Sequence, residues 1–159
     1  MHPNIPSAYS PKTTGATTTF LLRFPSFAAV KSEQDSLNDI ILVTIENLPS
    51  FHFDSSEERI RGEQLLLEVF DSARVLRPGW NESSDHRVLY KMANDKLRNL
   101  IFLGEDNIWR GADIRIGTFR VSKGVSANIR LGYQVPIAFF SSAPLIDAKI
   151  TEFIKGAMK

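Results

Sequence analysis

The chain has 159 residues, of which 43% are hydrophobic and 23% charged, and it contains no cysteine. That length suits one domain able to bury a core without metals or disulfides, and the missing cysteine excludes thiolate metal sites and a cysteine nucleophile. The net charge of +1 is unevenly spread: residues 1–80 carry seven Lys/Arg and ten Asp/Glu, whereas residues 81–159 carry twelve and eight. The C-terminal half is therefore the half suited to an anionic partner.

Residues 1–17, MHPNIPSAYSPKTTGAT, hold three prolines and many Ser/Thr with no apolar periodicity. They read as a disordered N-terminal arm preceding a single domain over 18–159. The tetrapeptide Pro6-Ser7-Ala8-Tyr9 comes near proline-rich motifs of viral structural proteins, so a protein partner held through the arm is one expectation, set against ordinary disorder. No secretory h-region precedes the domain, and no apolar run approaches the ~18 residues that span a bilayer. The expectation is an intracellular protein, soluble or peripheral to a membrane.

Order is expected to begin with a β-prone run, Thr19 to Phe24, closed by Pro25, which removes a ladder donor. A polar loop, Lys31 to Asn38, leads to Asp39–Glu46 (DIILVTIE), the strongest strand of the first half and apolar enough to suggest cover on both faces. Ser55 and Glu58 have the spacing of a capping box, opening a helix expected to run to Leu76, where Arg77-Pro78-Gly79 stops it. Its buried stripe would be Leu66, Val69, Phe70, Ala73 and Leu76.

Between Ser84 and Leu100 the pairs Val88-Leu89, Met92-Ala93, Lys96-Leu97 and Leu100-Ile101 recur at three- and four-residue steps. This spacing favours a second amphipathic helix over a hairpin turning at Asn94-Asp95, with Ser83 or Ser84 as its N-cap. A short strand near Ile108–Arg110 is followed by a long hairpin. Asp113–Val121 would pair with Val125–Ile137 through a turn at Ser122-Lys123-Gly124, with a bulge at Gly117. After Pro144 a last amphipathic helix would bury Ile146, Ile150, Phe153, Ile154 and Ala157 and expose Asp147, Lys149, Glu152 and Lys155. The expected fold is α+β, a single domain with a mostly antiparallel sheet and a long C-terminal hairpin packed against two or three amphipathic helices.

No phosphate-binding loop or nucleophile elbow is present, and no cofactor or metal site is expected. Ser83, Ser84, Asp85 and His86 hold the letters of a hydrolase triad, but neighbours on one backbone cannot aim at one another as a triad requires. His52 and Asp54 alternate with Phe51 and Phe53; two such side chains do not make a metal site. A hydrolase or metal enzyme would have to unite His52 with His86.

The stronger lead is charge. From 114 to 146 there is no Asp or Glu, while Arg115, Arg120, Lys123 and Arg130 all fall there. Arg130 falls on the outer side of a strand whose other side is Val125, Ala127, Ile129, Leu131, Tyr133 and Val135. Arg115 alternates away from Ile114 and Ile116, and Arg120 and Lys123 lie near the turn, so the four would form a cationic face for membrane headgroups or nucleic acid. The favoured function is thus a non-catalytic structural or adaptor protein. It would self-associate, as a homo-oligomer, and dock on an anionic surface. A small viral matrix- or capsid-associated protein has this general profile: basic, cysteine-free and motif-poor. The alternative is an apolar pocket for a lipid or small molecule, lined by Trp109, Tyr133, Phe139 and Phe140.

Overall fold

The computed structural model describes residues 3–30 and 37–158. In chain order the strands are β1 (Lys12–Thr14), β2 (Thr17–Arg23), β3 (Ile40–Asn47), β4 (Trp80–Glu82), β5 (Val88–Ala93), β6 (Lys96–Leu103), β7 (Trp109–Ile114), β8 (Thr118–Ser126) and β9 (Ile129–Pro136). Helix α1 (Ser55–Val69) lies between β3 and β4, and α2 (Ala143–Ala157) follows β9. These nine strands of the described residues make one sheet in the order β1-β2-β3-β9-β8-β7-β6-β5-β4. It consists of two antiparallel meanders, β1–β3 and β4–β9, that join where β9 pairs with β3.

The α+β arrangement expected from the sequence is therefore corrected: among the described residues a single nine-stranded antiparallel sheet dominates, with two α-helices. The largest change is at Ser84–Leu100, where the expected helix is the β5–β6 hairpin. Asn94 and Asp95 both take left-handed backbone, φ 52° and 60°, the two-residue loop whose twist matches that of paired strands. The misleading helical spacing has a physical origin. Val88, Leu100 and Phe102 face one core, while their neighbours Leu89 and Ile101 face another. Adjacent strand residues buried on opposite faces give paired apolar letters rather than alternation.

The second core lies under α1. Asp54, not Ser55, caps this helix, accepting a hydrogen bond from the Ser56 amide at 2.8 Å. The helix stops at Val69, short of Leu76, because the chain then turns back and Phe70 bridges to Leu76. Leu65, Leu66 and Val69 pack with Leu89, Ile101, Trp80 and Trp109. Gly62 permits the close approach of α1 to β7: a Cβ there would lie 2.3 Å from the Trp109 carbonyl oxygen.

The main core lies on the opposite face, between the sheet and α2. Ile41, Val43 and Ile45 of β3 and Ile129, Leu131, Tyr133 and Val135 of β9 are at most 2% exposed, as the alternation in β9 implies. The other face of β3 is only partly covered, with Leu42 and Thr44 half-buried. Ile146, Ile150 and Ile154 of α2 are each fully buried, and each contributes about 1.5–3 kcal/mol by leaving water.

The N-terminal segment expected as a disordered arm lies along this core over its described residues. The Asn4 amide donates to the Ala157 carbonyl at 2.7 Å, Ile5 is buried, and Tyr9 stands edge-on against Phe20 and Phe153. The expected polar loop Lys31–Asn38 falls, over 31–36, outside the described residues. Both edges of the sheet, β1 and β4, are only three residues long, which limits edge-to-edge pairing. Among the described residues, no helix is long and apolar enough to cross a membrane.

Candidate functional site

The expected hairpin exists with different ends, and this redistributes its cations. β8 pairs with β9 around Ala127-Asn128, not around Ser122–Gly124. The bulge falls between Gly124 and Ser126, while Gly117, at φ 75°, forms the turn between β7 and β8. Lys123 consequently sits inside β8, in register with Phe119 and Val121 on the core side, and is 4% exposed. Arg120 and Arg130 take the outer face. Arg130 donates to Glu46 at 2.9 Å, and Arg120 stands opposite Asp113 in the ladder. Arg115 projects from the β7–β8 turn. Lys123 therefore leaves the expected cationic face, because its side chain enters the core.

Lys123 belongs instead to a buried network. Its Nζ donates to Asp147 Oδ2 at 3.1 Å and to Thr151 Oγ1 at 3.0 Å, and Tyr133 Oη donates to Asp147 Oδ1 at 2.7 Å. Asp147, expected to face water, is fully buried. It shares the inward side of α2 with Thr151, one turn on. Beside it, Arg110 of β7 grips Asp106 with two parallel hydrogen bonds, 3.0 and 2.9 Å, and donates to Glu58 Oε2 of α1 at 2.8 Å. Glu58 Oε1 accepts from the Gly124 amide at 2.9 Å rather than closing a capping box.

The electrostatics agree with this geometry. Burial and then the neighbouring Asp147 carboxylate push the Tyr133 phenol well above its ordinary range. Burial alone would raise the Asp106 carboxyl, but hydrogen bonds and charge from Arg110, with the charge of Lys123, hold it below the ordinary value. Burial likewise opposes the Arg110 charge, but Asp106 and Glu58 outweigh it and raise its pKa. The side chains of Lys123 and Asp147 are 2% and 0% exposed. Through these hydrogen bonds the network acts as a clamp among β7, β8, β9, α1 and α2.

The histidines do not meet. His52 is exposed beside the start of α1, in a crevice with Phe53, Arg61 and Arg130. His86 lies in the β4–β5 turn against Glu82. In that turn Ser83 Oγ donates to Asp85 and receives the Val88 amide, so the triad-like letters cap a β-turn and not a helix. Among the described residues no group of three or more His, Asp or Glu could hold a metal ion.

An open cleft of about 600 Å³ lies between the tip of the β5–β6 hairpin, the β7–β8 turn and the 3-10 segment Ile137–Ser142. Leu97, Ile114, Ile137 and Phe140 supply apolar walls, and Tyr90 meets the Phe140 ring at 4.9 Å. Lys96, Arg98 and Arg115 stand exposed on its rim beside one acid, Asp95. None of these three cations makes an ion pair among the described residues. At the lip Ile116 is 103% exposed, the most exposed large apolar side chain described.

Of the four expected pocket residues, only Phe140 lines this cleft. Phe139 packs on Phe24, Trp109 lies under α1, and Tyr133 is sealed against Asp147. Lys96 and Arg98 were missed because a helical reading separates them; as strand residues they alternate with buried Leu97 and share a side. Comparison with family models, curated protein sequences and solved structures finds no match to this chain.

Proposed function

We propose that this protein is a non-catalytic docking protein that attaches to an anionic lipid surface through the end bearing Ile116. The observation that carries this reading is the coincidence of a fully exposed isoleucine with three cations, Lys96, Arg98 and Arg115, lacking ion-pair partners among the described residues. An aliphatic side chain at a turn apex suits the boundary of headgroups and acyl chains, and surrounding Lys and Arg are drawn to the negative surface potential. A nucleic-acid partner fits less well. Single-stranded binding needs exposed aromatic platforms, and the one aromatic ring of the cleft, Phe140, is half-buried against Tyr90.

Co-sedimentation with vesicles of neutral lipid, with and without phosphatidylserine, tests the reading. Salt-sensitive binding to the acidic vesicles alone is expected. The Ile116→Asp variant, altered at a side chain that packs on nothing, should lose it. A Lys96→Gln/Arg98→Gln/Arg115→Gln variant should bind about a hundredfold more weakly, at about 1 kcal/mol per cation. Equal binding by the triple variant, or binding of RNA but not of vesicles, would reject the proposal.

A further inference from the structure

Resting on that docking reading, we infer that the cleft behind Ile116 receives one acyl chain of a single-chain anionic amphiphile, with its head at Arg98 and Arg115. Docking on headgroups alone requires only a charged surface, whereas this site also carries an apolar cleft. Its volume of about 600 Å³ lies within the roughly 300–1,000 Å³ usual for small-molecule sites.

The composition of the walls narrows the ligand. Among the lining residues there is no Ser, Thr, Asn, Gln, His or Tyr, so no neutral side-chain hydrogen-bonding group is offered to a sugar, a nucleoside or a peptide. Leu97, Ile114, Ile137 and Phe140 can only exclude water from hydrocarbon. Polarity is confined to the rim, where three cations face a single acid. Guanidinium groups match the planar fork of a carboxylate or the oxygens of a phosphate. An aliphatic tail with an anionic head satisfies both halves of the cleft.

The test uses the full chain and amphiphiles kept below their micelle concentrations: dodecanoate, a lysophosphatidic acid, and uncharged decanol. Calorimetry with native mass spectrometry should show saturable one-to-one binding of an anionic compound. Preference for dodecanoate marks a free fatty acid as the source, and preference for the phosphate marks a lysophospholipid. Ala138 is exposed on the cleft wall, so Ala138→Trp fills the space without disturbing the core, and should weaken binding about tenfold or more. Arg98→Gln/Arg115→Gln should weaken the anionic compounds similarly while leaving decanol unchanged.

Absence of saturable binding, or equal binding by Ala138→Trp, overturns the inference. Vesicle co-sedimentation of the same proteins separates the two readings. Vesicle binding retained alongside no amphiphile binding rejects the cleft as an acyl site and leaves surface docking standing. Loss of both in the unaltered protein rejects both.

Discussion

Lys123 shows how one side chain can be placed against its usual preference. It occupies a core-facing position of β8, and its ammonium is matched by Asp147 and Thr151 at 3.1 and 3.0 Å. Such a pair is weak evidence for net stability, since desolvation offsets the attraction, but removing one partner leaves the other charge buried alone. Lys123→Met should therefore cost about 3–5 kcal/mol in urea denaturation. Adding Asp147→Asn, which keeps an acceptor for Tyr133, should recover part of that loss. Additive losses in the two single variants would show that the groups do not interact. The pattern was present in the sequence as Phe119-x-Val121-x-Lys123, but a turn placed at Ser122–Gly124 hid it. Asp147 was hidden in another way: on a helix beside Ile146 and Ile150, a charged residue reads as solvent-facing unless its buried partner is already known.

At the scale of elements, strands with one wet face were legible and strands with two dry faces were not. β9 alternates cleanly, and Ile129, Leu131, Tyr133 and Val135 of the expected set are buried, whereas Val125 belongs to β8 and Ala127 is exposed in the turn. β5 and β6 lie between the two cores, so their apolar residues come in pairs that imitate a helix. The discriminating signal was Asn94-Asp95, residue types that tolerate left-handed backbone and so favour a type I′ turn. The cations at the cleft could be recognised only after that hairpin was placed, because Lys96 and Arg98 share a side only as strand residues. Glycine is the better residue where φ is 60°, as at Asp95. Asp95→Gly should raise the stability of the fold by about 1 kcal/mol, measured by urea denaturation. A helix over 84–100 would instead be destabilised by the same change, so a decrease in stability contradicts the hairpin.

Across the whole molecule, the buried network and the cleft occupy opposite ends of β7 and β8. Arg110 and Lys123 are each five residues from the turn-flanking Arg115 and Thr118, about 16 Å along a strand. The network ties α1, β7, β8, β9 and α2 at one point, so its titration bears on the fold as a whole. The Asp106 carboxyl is held below its ordinary value of 3.8, so the folded protein binds fewer protons there than the unfolded chain. The stabilisation from this group is complete above the ordinary value and is lost as pH falls through the lowered folded one. The urea midpoint should thus carry no contribution from Asp106 titration between pH 7 and 5, and should drop as pH falls below about 3.8. Asp106→Asn should lower the midpoint at pH 7 and flatten the acid drop, because one of the two carboxylates that hold Arg110 is then absent. An undiminished acid drop in that variant would place the titrating groups elsewhere. Because the cleft lies at the far end of the strands, the same variant should still bind acidic vesicles at pH 7, so loss of vesicle binding there would show the two ends to be coupled through β7 and β8.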